Sequence, residues 1–474
     1  MATSQRFRDR RWVILFALGL LLTIGSSVWR LTRTPQPVTV ALQPAISPLP
    51  QDPYIQVFFN QSEASVYTDP YRQVERYGDD LEQVIITAIE QSTRSVDIAV
   101  QAFNLPRLAQ AIVSRAQAGI AIRVILENQY ANPTSAKAQR EQAEAWMGIA
   151  DSDRDGTLTP VELANADALG ILRNARIPLI DDTADGSKGS GLMHHKFLVI
   201  DNRWVLTGSA NLTLSGVHGD ADDLASRGNA NAFLKIDSPA LAGRFTDEFN
   251  RMWGDGPGAQ PNSQFGLQKA HRLAEAIALP TGSITLQFSP LSPTKPWSDS
   301  VNGLIARTLA EASRSVDLAL FVFSEQEIVN QLAPRVKAGI TLRALIDRGF
   351  AYRSYSEALD MLGVTLPDQR CRVEAGNRPW QPAITSVGTA RLPPGDKLHH
   401  KFAVIDEATV IIGSHNWSHA ANTENDETLL VIRNPTVAAH FNREFERLYR
   451  DPYLGNTPLL QEKVAASRQR CPTF

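Results

Sequence analysis

Six residues recur at one fixed spacing in two places: His194, Lys196, Asp201, Gly208, Ser209 and Asn211, then His399, Lys401, Asp406, Gly413, Ser414 and Asn416. An imidazole serves as nucleophile or general acid–base, and an ammonium, an amide and a hydroxyl hold oxygens. Gathered twice, they make a cradle for a tetrahedral oxyanion. The apolar run after each lysine, FLVI or FAVI, reads as a buried strand on which residues i and i+2 share a face. His194 and Lys196 then project together, as do His399 and Lys401, while His195 and His400 point the other way. The step to Gly-Ser returns the chain as a neighbouring strand (RWVLTGSAN, ATVIIGSHN) and brings hydroxyl and amide back beside the histidine. One such segment alone reads as a satisfied core histidine and a surface lysine. Two copies with identical spacing imply convergent use, because polar residues are otherwise out of place on buried strands.

The elements that position these groups repeat as well. SRSVDLAL (Ser313–Leu320) echoes TRSVDIAV (Thr93–Val100), and AGITLRALID (Ala338–Asp347) echoes AGIAIRVILE (Ala118–Glu127), both at an offset of 220. The offset falls to 205 between LHHKFAVID and MHHKFLVID, so the first copy carries 15 extra residues ahead of its histidines. Strands alternate with helical patterns in each copy, which argues α/β layers. The chain divides into 1–33, 34–53 (a proline-rich spacer), 54–255 (first half), 256–282 (a linker with an expected helix near Gln268–Ala278), 283–453 (second half) and a 454–474 tail.

The duplicated pattern resembles the phospholipase D superfamily, whose hallmark is a pair of HKD motifs, and the resemblance covers about residues 54–453. It implies two homologous α/β halves, each a mixed β-sheet flanked by helices, packed about a pseudo-two-fold axis with both motifs at the seam. It also implies a metal-independent, two-step transfer at phosphorus. One of His194 and His399 attacks to give a phosphohistidine; the other protonates the departing alcohol, then deprotonates the water or alcohol that resolves the intermediate. On the same ground Lys196, Lys401, Asn211 and Asn416 hold the non-bridging oxygens with Ser209 and Ser414 assisting, and Asp201 and Asp406 brace the local structure. The family often places an acid about eleven positions past the asparagine, where it orients a histidine. Glu427 fits, and the matching strand of the first half offers Asn231 instead. Which histidine Glu427 supports stays open. His218, His271, His415, His419 and His440 receive no role.

The inserted stretch has its own signature. Asp151, Asp153, Asp155, Thr157, Thr159 and Glu162, with Gly156 at the turn, occupy the ligand positions of a twelve-residue EF-hand loop. Crowded hard oxygens of this kind suit Ca²⁺ in a structural or weakly regulatory role. Pro160 falls at the start of the exiting helix, where its missing N–H is harmless.

Composition bounds the partners. The chain has 474 residues with a formal charge of −3; the first 33 carry six arginines and one acid, which leaves −8 on the remainder. That sign disfavours a general polyanion binder. Trp12 to Trp29 is uncharged and arginine-flanked, about the length of a bilayer's hydrocarbon core, and reads as a membrane anchor or a cleaved signal peptide. Either way the body is expected outside the cytoplasm. Cys371 and Cys471 are too far apart for a metal knuckle and read as one disulfide or two free thiols. The leading expectation is a phospholipase D-type phosphodiesterase that hydrolyses or transphosphatidylates membrane phospholipid, active as a monomer. The alternatives are an extracytoplasmic endonuclease on DNA or RNA and, further off, a silent calcium-binding envelope protein.

Overall fold

The computed structural model describes residues 42–132, 149–151, 155, 157–187, 189–221 and 223–472. The apolar segment 12–29 and most of the 133–156 stretch, including Asp153, lie outside these. Every element below belongs to one compact unit, Pro44–Phe474.

The first half builds a seven-stranded sheet from β1 (Ile55–Phe59), β2 (Ser95–Val100), β3 (Ala121–Leu126), β4 (Leu179–Asp181), β5 (Lys196–Ile200), β6 (Trp204–Gly208) and β7 (Ala232–Asp237), in the order β1-β7-β6-β5-β2-β3-β4. The second builds a nine-stranded sheet from β8 (Glu275–Leu279), β9 (Gly282–Phe288), β10 (Ser315–Leu320), β11 (Thr341–Ile346), β12 (Val387–Thr389), β13 (Lys401–Ile405), β14 (Thr409–Gly413), β15 (Thr428–Arg433) and β16 (Tyr453–Leu454), ordered β8-β9-β15-β14-β13-β10-β11-β12-β16. Pairs β2–β3, β3–β4, β10–β11 and β11–β12 are parallel and the others antiparallel, so both sheets are mixed. This is the helix-flanked, mixed α/β architecture expected from the repeat.

Alternation along the strands sorts the core into layers. Phe197 and Val199 of β5, with Phe402 and Val404 of β13, join one cluster shared by both sheets and by the helices α3 (Pro239–Trp253) and α6 (Pro435–Leu448). Leu198 and Ile200 face the other way, onto α1 (Leu81–Glu90) and α2 (Pro106–Gln117). Ala403 and Ile405 do the same toward α4 (Val301–Ala310) and α5 (Gln326–Lys337).

Two boundary expectations need correction. Residues 268–278 form no helix beyond a 3₁₀ turn; Glu275–Leu279 is an edge strand paired antiparallel with β9, because hairpin pairing on the sheet edge overrides a weak helical preference. The spacer ends sooner than expected: Ala45 N–H donates to the Glu63 carbonyl (2.9 Å), Arg443 donates to the Ser47 carbonyl (2.7 Å), and Asp52 accepts from Tyr54, Ile55 and Asn434. The C-terminal tail contains a helix, α7 (Pro458–Arg470), capped by Thr457 and tied to the body by the Cys371–Cys471 disulfide. The two cysteines, left open by the sequence, are paired.

Candidate active site

Both His-x-Lys segments sit where the parallel strands end, the usual crevice of an α/β sheet. Lys196 opens β5 opposite Val100, the last residue of β2, and Lys401 opens β13 opposite Leu320, the last residue of β10. Backbone contacts then cross between the halves. His194 N–H donates to the Asp426 carbonyl (3.0 Å) and Asp426 N–H to the Leu192 carbonyl (2.9 Å). Reciprocally, His399 N–H donates to the Ala230 carbonyl (3.1 Å) and Ala230 N–H to the Lys397 carbonyl (2.8 Å). Each histidine is thereby stitched to the residues leading into a strand of the other half (β15 or β7), one residue ahead of the side chain that will hold its ring.

That register answers the open question. Glu427 Oε2 lies 2.7 Å from His194 Nδ1, and Asn231 Oδ1 lies 2.9 Å from His399 Nδ1. An acceptor at Nδ1 places the proton there and leaves each Nε2 with its lone pair. Burial holds the His194 imidazole well below its ordinary pKa, helped by the charges of Lys196, Lys401 and His195. His399 is lowered by burial, then by Lys401, Lys196 and His194. Lysines of both halves thus act on both rings, the electrostatic mark of one shared site. His194 and His399 are only 6% and 8% exposed.

The lysines are sealed. Lys196 Nζ donates to the His194 carbonyl (2.7 Å) and to Gln101 Oε1 (3.2 Å), and Lys401 Nζ to the His399 carbonyl (2.8 Å). Burial brings Lys196 down to about 7 against the pull of Glu427 and Glu127. Burial and the charge of Lys196 take Lys401 well below its ordinary value. An arriving phosphodiester anion reverses this by supplying the missing counter-charge. The amide oxygens of Asn211 and Asn416 are buried with no hydrogen-bond partner among the described residues.

The hydroxyls of Ser209 and Ser414, expected to assist in holding oxygens, are engaged by neighbouring groups of the protein. Ser209 Oγ donates to Asn231 Oδ1 (2.8 Å) and accepts from Ala232 N–H (3.1 Å). Ser414 accepts from Thr428 N–H (3.0 Å) and bonds Glu427. Each hydroxyl buttresses the group that orients the other half's histidine. Asp201 and Asp406 each gather backbone N–H groups from the start of a neighbouring strand. Asp201 accepts from the N–H groups of Thr93, Arg94 and Ser95, and Asp406 from those of Ser313, Arg314 and Ser315. Both begin a tight hairpin turn with positive φ (56° and 52°), which Asp tolerates better than most residues. His195 and His400 face the shared core, against Glu248 (3.4 Å) and Glu444 (2.9 Å).

With this geometry stand the comparisons. The family described as "Cardiolipin synthase, PLD-like domain" matches residues 85–253 and 305–449. The chain belongs to that family. It is 24% identical over 191 residues to a mitochondrial cardiolipin hydrolase of Xenopus laevis, covering 39% of this chain and 80% of that one. It is 26% identical over 137 residues to a phospholipase D of Rickettsia felis, covering 29% and 58%. The chain spans about half to four-fifths of the length of the curated relatives it matches. The crystal structure of a Haemophilus influenzae phosphatidylserine synthase shares the fold, with a TM-score of 0.53, 12% identity and coverage of 90% and 96%. The chain is accordingly a phosphodiesterase of the phospholipase D superfamily.

This PLD-like site includes two carboxylates to which sequence reasoning assigned nothing. Glu127, just past β3, accepts from Met193 N–H (2.7 Å), and Asp347, just past β11, accepts from Leu398 N–H (2.9 Å). Each anchors the residue before the histidine of its own half's His-x-Lys segment. Burial and neighbouring Asp182 raise Glu127 to about 7. The signal was present: the repeated strand motif ends in an acid both times.

Of the calcium-type loop, Asp153 lies outside the described residues. Glu162 forms a capping box, its carboxylate accepting from Thr159 N–H (3.0 Å) and Oγ1 (2.9 Å), and Asp155 accepts from Thr157 N–H (2.6 Å). Among the described residues no group of three or more His, Cys, Asp or Glu is placed to hold a metal ion.

Proposed function

We propose that this phosphodiesterase transfers phosphatidyl groups by way of a phosphohistidine on His194. The observation carrying the reading is the crossed support of the two imidazoles. Nε2 of His194 attacks phosphorus, and the imidazole it becomes carries positive charge, which the carboxylate of Glu427 stabilises and a neutral amide would not. His399, backed only by Asn231, holds its proton less tightly and so suits the acid that protonates the departing alcohol. The bound anion offsets the two lysine charges and lets His399 take up that proton beforehand. Its neutral form then accepts the proton of the resolving water or alcohol, and Lys196, Lys401, Asn211 and Asn416 hold the non-bridging oxygens.

Phospholipid as substrate is supported by the activities for which the relatives are named and by the acidic body. The arginine-flanked segment 12–29 and a disulfide suited to an oxidising compartment support a membrane-associated, extracytoplasmic location. Among the described residues no helix is long and apolar enough to cross a membrane; segment 12–29 lies outside them. Calcium at Asp151, Asp153, Asp155, Thr157, Thr159 and Glu162 belongs to the same proposal as a structural ion, and Glu162 would exchange its cap on Thr159 for it. Incubating the protein with phosphatidylcholine vesicles and ethanol should yield phosphatidylethanol. No such product, together with cleavage of single-stranded DNA, overturns the lipid reading in favour of a nuclease.

A further inference from the structure

Beyond the acceptors behind their histidines, the two half-sites differ in one wall. Gln101 and Phe321 hold equivalent places: each directly follows the central strand (β2 or β10), and each donates its backbone N–H to the carbonyl of the non-catalytic histidine (His195 at 3.1 Å, His400 at 2.8 Å). Gln101 is buried and its amide is committed to Lys196. Phe321 is half-buried; its ring packs on the His399 imidazole at 4.8 Å between centroids and lies 5.1 Å from Lys401 Nζ. Behind it stands Phe350, also half-buried, in an edge-on contact at 4.7 Å. The wall beside His194 is therefore polar and closed, and the wall beside His399 is aromatic and half-buried.

In-line displacement puts entering and leaving groups on opposite sides of phosphorus. With His194 attacking from the first half, as proposed above, the departing alcohol lies on the His399 side. The alcohol that later resolves the intermediate arrives by the same side. We infer that Phe321, backed by Phe350, is the wall against which that alcohol packs, and that it selects alcohols carrying apolar surface over small polar ones. In the resolving step the alcohol oxygen bonds phosphorus, the bond from phosphorus to His194 Nε2 breaks, and the hydroxyl proton passes to His399 Nε2. Atoms and charge balance without a further reactant. Phe321 touches the non-reacting part of the alcohol and so bears on choice rather than on bond-making.

Competition between acceptors isolates this role. The protein is given phosphatidylcholine vesicles with equimolar ethanol and benzyl alcohol, and the ratio of phosphatidylbenzyl alcohol to phosphatidylethanol is measured. Phe321→Gln, which copies the other half's residue, should lower that ratio about tenfold relative to wild type, the order of one aromatic contact. Phe350→Leu, which removes only the backing ring, should lower it about threefold. A merely structural role would slow both products together and leave the ratio alone. An unchanged ratio in either variant that still turns over overturns the inference. Absence of both products with wild type fails the phosphatidyl-transfer reading instead, so the two failures are distinct.

Discussion

Glu427→Gln is the sharpest perturbation of this site, because it removes one charge and keeps nearly the same shape. The Glu427 side chain is wholly buried, that of His194 is 7% exposed, and the two are 2.7 Å apart. Burial pushes the Glu427 carboxyl up, against the charges of His415 and Lys196 and hydrogen bonds from Ser414 and Asn425. Two unit charges about 4 Å apart at an effective dielectric of roughly 20 interact by about 4 kcal/mol. A charge-assisted hydrogen bond exceeds a neutral one by about 1–2 kcal/mol. The variant should therefore form the phosphohistidine more slowly by about 2–4 kcal/mol, or roughly 30- to 1000-fold. The pre-steady-state burst of nitrophenolate from bis(p-nitrophenyl) phosphate reads this step, since nitrophenolate leaves without needing a proton from His399. His194 must be neutral to attack, and a neighbouring carboxylate raises its pKa. Removing that charge should move the acid limb of the rate profile to lower pH. A burst slowed less than about fivefold with an unmoved acid limb would refute the charge argument and reduce Glu427 to a positioning group.

Other outcomes follow from the same contacts. His194→Asn and His399→Asn should each lose at least about 10⁴-fold in phosphatidylethanol formation; substantial turnover in both would remove the two-histidine mechanism. Asp406 is pushed up by burial but pulled down to about 2 by hydrogen bonds from Ser315, Ser313 and Arg314. Its unfolded value is near 3.9, so its stabilisation is present above about pH 4 and is lost as pH falls through about 2. Asp406→Asn should flatten the acid melting curve over that range, by about 1 kcal/mol after allowance for solvent screening. If the two curves run parallel, the brace is not electrostatic. Calcium should raise the melting temperature, and Glu162→Gln should blunt the rise; no shift in wild type would show that the loop binds no calcium.

Much was legible in local pattern. Strand alternation placed His194 with Lys196 and turned His195 away, and the pattern returning the chain through Gly-Ser predicted the hairpins that carry Asn211 and Asn416. The tight turns at Asp201 and Asp406 follow from the strand–Gly-Ser pattern, because a turn beside a strand end is a local event. Where the reading failed, packing made the difference. Residues 275–279 became an edge strand because a neighbour was there to pair with, and Pro44 onward joined the body because Glu63 and Arg443 received it.

Sequence alone determined the chemical inventory, its duplication and which face of each strand carries it, since these depend on periods of two residues and on spacing within a repeat. Only the tertiary structure decided who serves whom. Glu427 reaches His194 across 233 residues and Asn231 reaches His399 across 168. The docked halves also engage both serines beside those acceptors, place Glu127 and Asp347 behind the residues before the histidines, and set an aromatic ring beside His399 alone. The physical reason is that contacts between two packed sheets depend on how the halves dock, and no periodicity within either half encodes that docking.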